Sequence, residues 1–219
     1  MNLLIIGAPG VGKGTMSNLL IEDYKLVHVS TGDMLRQAIA DKTKVGQIAE
    51  GYMSKGQLVP DEVIHDIIVE RLSKDDIKQG FLFDGYPRTE SQAIDLSKIL
   101  TELNLKIDGV INLQIDDEVV VKRITGRRTC SKCGSIYNIY FGNSKVDGIC
   151  DKCGETLSIR KDDNEESLKI RLNEFHKNTQ PVIDYYEKQG IVYHVNGDQT
   201  IEGEYNDIKK VLEGLKWFR

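Results

Sequence analysis

The chain has 219 residues, 40% of them hydrophobic and 29% charged, with a net charge of −5. That size and composition suit a globular protein with one sizeable core and a small insert. No stretch approaches the ~18 apolar residues of a membrane span, no basic segment precedes the first apolar run as in a signal peptide, and the acidic balance argues against non-specific nucleic-acid binding.

Leu3-Leu4-Ile5-Ile6 reads as a buried strand and runs directly into Gly7-Ala-Pro-Gly10-Val11-Gly12-Lys13-Gly14-Thr15, after which Met16 to Leu20 is helix-like. A strand, a glycine-rich turn and a helix start make a phosphate cradle. Glycines let backbone N–H groups point inward, and the helix N-terminus adds partial positive charge. Lys13 supplies a full charge for the terminal phosphates. The string departs from G-x-x-x-x-G-K-[ST] at Gly14, with Thr15 one place late. An ordinary tight turn is the alternative, but the preceding strand and Lys13 favour a bound nucleotide.

Further strands are expected at residues 27–29, 80–83, 109–114 and 192–195, alternating with helical patterns. This order implies an α/β domain with a mainly parallel sheet. Over residues 61–72, Ile64, Ile67, Ile68 and Leu72 line one face behind Pro60-Asp61, a helix start. Residues 90–103 and 207–215 read alike, and 30–59 is also helical. Pro181 interrupts the pattern of residues 165–186 and predicts a kink or break. Residues 126–163 lose helical periodicity and look like a small β-rich insert between two helices.

All four cysteines fall in that insert, as Cys130-x2-Cys133, 16 residues, then Cys150-x2-Cys153. Gly134 and Gly154 follow the second cysteine of each pair, as in knuckle turns whose backbone N–H groups face sulfur. Two such knuckles predict a tetrahedral thiolate cage for structural zinc. Two disulfides are the alternative, which the lack of an export signal disfavours. A closed four-ligand site would replace the core that ~38 residues cannot build.

Phe81-Leu82-Phe83-Asp84 is an apolar strand ending in a carboxylate, the form of a metal-orienting acid beside a phosphate loop. Gly85-Tyr86-Pro87-Arg88 is then a rigid turn presenting an arginine. Arg123 and Arg127, four apart on a predicted helix, are expected on one face at the mouth of the insert. Arg160 and Arg171 lie on the way out of the insert. The histidines at 28, 65, 176 and 194 have no ligand or triad spacing and are expected to be structural or exposed.

Taken together, Gly7 to Thr15, Ser30-Thr31-Gly32-Asp33-Met34-Leu35-Arg36, Gly56-Gln57-Leu58-Val59-Pro60-Asp61-Glu62, Phe83-Asp84-Gly85-Tyr86-Pro87-Arg88 and Arg160-Lys161-Asp162-Asp163-Asn164 resemble the adenylate kinase family in its long-lid, zinc-bearing form. The likeness runs essentially end to end. It implies a P-loop NTPase-type sheet of five parallel strands flanked by helices. It also implies a core (1–29, 60–125, 164–219), an AMP-binding segment (30–59) and a lid (126–163). The resemblance assigns Thr31, Arg36, Gln57, Leu58, Val59, Gly85, Tyr86, Pro87, Arg88 and Gln92 to AMP. Gly10, Val11, Gly12, Lys13, Gly14, Thr15, Arg127, Ile136, Tyr137 and Gln199 fall to ATP. Arg123, Arg160 and Arg171 are the arginines that embrace the transferring phosphoryl group, and Gly14-Thr15 is the family's usual spelling. The implied reaction is reversible transfer between MgATP and AMP, giving two ADP, in a cytoplasmic monomer. A kinase for another nucleoside monophosphate, such as UMP or CMP, is the nearest alternative. A zinc-ribbon nucleic-acid regulator with a nucleotide switch is the more distant one.

Overall fold

The computed structural model describes residues 1–216. At its centre β1 (Asn2–Gly7) pairs in parallel with β3 (Phe81–Asp84) on one side and β4 (Gly109–Gln114) on the other. β2 (Val27–Ser30) and β8 (Val192–Asn196) complete a five-stranded parallel sheet in the order β2-β3-β1-β4-β8. The expected strands are all present, shifted at their ends by at most a residue or so.

Strand β1 is buried along its whole length because helices cover both faces. Leu4 and Ile6 enter one cluster with Phe81, Phe83, Ile68 and Leu96, packed by α4 (Asp61–Leu72), α5 (Glu90–Glu102) and α8 (Gln180–Glu187). Leu3 and Ile5 enter the other with Met16, Leu20, Ile208 and Leu212, from α1 (Lys13–Tyr24) and α9 (Ile201–Lys216). Each such side chain is worth about 1.5–3 kcal/mol of burial, so the two layers clamp β1 and the loop that leaves it.

Two insertions interrupt the sheet-and-helix alternation. Between β2 and α4 lie α2 (Thr31–Ala40) and α3 (Lys44–Met53), capped by the side chains of Ser30 and Thr43. They approach so closely at Gly46 that a Cβ there would lie 2.0 Å from the Ala38 carbonyl oxygen. Between α6 (Asp117–Thr125) and α7 (Glu165–Glu174) a three-stranded antiparallel sheet forms, β6-β5-β7, from β5 (Arg127–Cys130), β6 (Ile136–Asn138) and β7 (Leu157–Ser158).

One expectation is corrected here and one refined. Helix α6 stops at Thr125, so Arg127 does not share its face with Arg123 but opens β5. At Gly126 a Cβ would meet the Tyr140 ring at 2.5 Å and Asn138 Oδ1 at 2.6 Å, so the chain turns there rather than continuing the helix. Ahead of Pro181 the break takes the form of a π turn, Phe175–Thr179, with the proline in the first turn of α8. The proline has no N–H to lose at that position.

Candidate active site

In an open parallel sheet the crevice lies at the carboxyl ends of the strands, where the strand order reverses. Here that point is the gap between β1 and β3, and the glycine loop and Asp84-Gly85 emerge on either side of it. Gly12, with φ near 123°, opens α1 in a conformation closed to side chains. Lys13 Nζ donates to the carbonyl oxygens of Gly7 at 2.7 Å and Ala8 at 2.9 Å. Part of Lys13 is still reached from the cleft. Even so, the protein around its ammonium removes enough water to drop its pKa to about 7, a fall that Asp84 opposes and Arg88, Arg171 and Arg127 assist. Such a cation is poised to regain its proton when phosphate arrives.

The cleft has a volume of about 1480 Å³. Its lining unites Lys13, Asp84, Arg36, Arg88, Arg127, Arg160 and Arg171, drawn from the loop, α2, the turn after β3, the insert and α7. Carboxylates hold the cations in place. Asp163, whose side chain is fully buried, accepts two hydrogen bonds from Arg127, at Nε (2.8 Å) and Nη2, and lies 3.7 Å from Arg171. Asp162 takes Arg171 at 2.9 Å, and Asp33 pairs with Arg36. Desolvation lowers the pKa of Arg160 to about 10, aided by Arg127 and Arg36, and that of Arg171 also to about 10. Arg88, exposed over much of its length, keeps Nε on the Gly85 carbonyl at 2.7 Å. Its head group is shielded, which lowers its pKa while Asp84 opposes the shift. Even so lowered, Arg160 and Arg171 stay charged at neutral pH, and the cleft gathers arginines in an acidic protein.

Arg123 stands apart from this group. It donates to the Val11 carbonyl at 2.6 Å and the Gly197 carbonyl at 2.9 Å, beside Gly12. It therefore borders the loop's outer end, near Gln199, which also lines the cleft. From the insert, Ile136 and Tyr137 line the same end, and a Cβ on Gly14 would lie 3.1 Å from Ile136 Cδ1. A side chain at Gly14 would crowd Ile136. Val11 is not part of the cleft lining: its side chain is in the core and its carbonyl accepts from Arg123.

A smaller pocket of about 70 Å³ opens beside the turn after β3. It is lined by Thr31, Arg36, Gln57, Leu58, Val59, Gly85, Tyr86, Arg88 and Gln92, among others. The Thr31 hydroxyl donates to the Gly85 carbonyl at 3.0 Å. The Gln92 amide is held at both ends: it accepts from the Arg88 N–H at 2.7 Å and donates to Asp61 at 2.6 Å.

A family model described as adenylate kinase matches residues 5–191. The chain belongs to the adenylate kinase family. It is similar along nearly its whole length to several proteins of that name. That of Archaeoglobus fulgidus is 50% identical over 216 residues, covering 99% of this chain and 100% of its own. That of Bacillus subtilis gives the same figures. The Thermodesulfovibrio yellowstonii protein is 47% identical over 213 residues, covering 97% and 99%.

The insert of this adenylate kinase family member carries a second centre. Its four thiols are free, and their sulfurs lie within 4.8 Å of one another, with Cys130–Cys153 at 3.4 Å and Cys133–Cys150 at 3.5 Å. A tetrahedral cage with ~2.3 Å metal–sulfur bonds spaces its sulfurs by ~3.8 Å. The N–H groups of Ser135, Lys152, Cys153 and Glu155 face sulfur as the knuckle glycines imply. The donor set therefore fits a closed, thiolate-bound metal.

Several residues of the site were not singled out from the sequence. Asp33, Asp162 and Asp163 steer the arginines, and their presence within the family's own motifs was the available signal. His28 is another. Its Nε2 is buried without a hydrogen-bond partner, 3.8 Å from Asp84 Oδ2, on the wall of the cleft. The other three histidines pair with surface carboxylates, as expected: His65 with Asp95, His176 with Asp117 and His194 with Glu187. No described helix is long and apolar enough to cross a membrane.

Proposed function

We infer that this enzyme transfers a phosphoryl group reversibly between ATP and AMP, giving two ADP. The observation that supports this best is the single cleft in which the phosphate loop faces arginines from both the core and the insert. The donor triphosphate lies on Gly10 to Thr15, with Arg127, Ile136, Tyr137 and Gln199 around it. The acceptor occupies the smaller pocket, with its phosphate on Arg36 and Arg88. Residues 30–59 are then the acceptor-binding segment, residues 126–163 the lid, and the rest the core.

AMP phosphate is already largely dianionic near neutral pH, so transfer needs no strong base. The difficulty is repulsion between two polyanions. Lys13, Arg88, Arg127, Arg160 and Arg171 offset that charge where the oxygens of the transferring group meet, and do so more strongly once water leaves. Arg123 braces the donor end through the Val11 and Gly197 carbonyls. Holding both substrates in line is worth roughly 7–11 kcal/mol against free encounter. Closure of the lid brings Arg127 and Arg160 over the phosphates and excludes the water that would otherwise take the phosphoryl group.

Asp84, a half-buried carboxylate at the β3 terminus facing the loop, suits a hard cation. Magnesium held there supplies further neutralisation of the phosphate oxygens. Cys130, Cys133, Cys150 and Cys153 hold zinc, which keeps the lid folded as a rigid flap and takes no part in transfer. A single chain supplies every group named, which supports a monomer, and the cytoplasm is its proposed place of work. Initial rates with MgATP and AMP, UMP, CMP or GMP as acceptor test the reading. AMP is expected to dominate; a preference for UMP or CMP overturns the substrate assignment.

A further inference from the structure

Among the described residues, Glu204 is the carboxylate with a buried oxygen that has no hydrogen-bond partner. It lies in the first turn of α9, only 3% exposed, at the wall of the cleft. A Cβ on Gly12 would sit 3.6 and 3.7 Å from its two oxygens and 3.9 Å from Arg123 Nη1. Carboxyl and guanidinium thus flank the residue that opens the phosphate-loop helix. Arg123 gives its hydrogen bonds to the carbonyls of Val11 and Gly197 instead. Among the described residues, Arg123 is the charged neighbour that pulls on Glu204, and no ion pair joins Glu204 to the phosphate loop, which carries Lys13, or to α1, β8 or the rest of α9. Burial pushes the Glu204 pKa up to about 7, with Arg123 pulling the other way. The side chain therefore changes charge near neutrality, beside backbone N–H groups arranged for anions.

We propose that Glu204 is a proton-linked positioning residue of the donor end: it takes up a proton as a nucleoside triphosphate settles on the phosphate loop, and its ionised form opposes that binding. The physical cause is Coulombic. A carboxylate beside Gly12 repels a polyphosphate, and the polyphosphate in turn raises the carboxyl's pKa, each by the same coupling free energy. Above neutrality the triphosphate must bind together with a proton from solvent. This inference rests on the loop being the donor site.

The test is calorimetric binding of a non-hydrolysable ATP analogue at pH 7.5, in buffers of different ionisation enthalpy, to the wild type, Glu204→Gln and Glu204→Asp. Steady-state KM for ATP and kcat are measured in parallel from pH 6 to 8.5. Lys13 and the ligand's terminal phosphate titrate in the same window, but both are common to all three proteins, so differences isolate residue 204. For a pKa raised by about one unit, the wild type takes up about half a proton more than Glu204→Gln. Its KM for ATP rises about sevenfold more across the range, while kcat changes alike in both. Glu204→Asp keeps the proton linkage. Equal proton uptake and parallel KM profiles in wild type and Glu204→Gln overturn the proposal while leaving the donor site intact. Failure of all three proteins to bind the analogue overturns the donor-site reading, and this inference with it.

Discussion

Replacing Asp163 by Asn examines how the lid is tied to the chemistry. Arg127 is the first residue of β5, the insert's entering strand, and Asp163 lies just ahead of α7, where the chain leaves the insert. Their two hydrogen bonds tie the two edges of the insert together, with side-chain exposures of 13% and 0%. Asn keeps one acceptor oxygen but presents an amide to the other guanidinium nitrogen. One charge-assisted hydrogen bond, worth about 1.5–3 kcal/mol, is lost. Arg171, 3.7 Å away, also loses part of its counter-charge. Breaking a fully buried pair costs about 3–5 kcal/mol, but these arginines face a wet cleft, so about 2–3 kcal/mol is the appropriate figure. If Arg127 must be aimed for transfer, kcat/KM for ATP falls about 30- to 150-fold. Circular dichroism should show the core intact, because Asp163 lies outside both clusters that pack the sheet. The assay is initial velocity against ATP at saturating AMP. A kcat/KM within about threefold of the wild type would refute the hinge argument.

Lys13→Met should cut turnover at least ~10²-fold yet stabilise the nucleotide-free protein at pH 7. With its folded pKa of about 7 against an ordinary 10.5, the unfolded chain holds a proton between those values that the folded one lacks. Stability from this group therefore rises with pH from 7 to 10.5, and thermal melts of the variant across that window should lose the rise. Arg88→Lys should lower turnover ~10²-fold, since a point charge cannot replace a planar fork; unchanged kinetics would remove Arg88 from the acceptor site. Cys130→Ser should lower bound zinc and the lid's melting temperature while leaving activity at low temperature. Complete loss of activity in a folded variant would give the metal a larger role.

Strands β1, β3 and β4 were legible because they are buried along nearly all their length and read as mainly apolar runs, whereas β2 and β8 each carry a histidine and most of β8 is half-buried or exposed. The four cysteines were legible because their spacing is local, so geometry follows from sequence. Helix α9 was expected from residue 207 but begins at Ile201. Its first turn, Ile201-Glu202-Gly203-Glu204, looks like a solvated segment, and only the fold turns Glu204 inward. The four-residue spacing of Arg123 and Arg127 suggests one helix face, but Gly126 ends the helix between them. The arginines themselves could be read from the family's motifs, whereas their carboxylate partners depend on how the two edges of the insert meet.

The most direct test of the account follows labelled γ-phosphate from ATP into ADP and into inorganic phosphate, with and without AMP. If cations from the lid and the core close over both nucleotides and exclude water, label enters ADP only when AMP is present, with at most a trace as inorganic phosphate. Release of inorganic phosphate at a comparable rate, whether or not AMP is present, would contradict it.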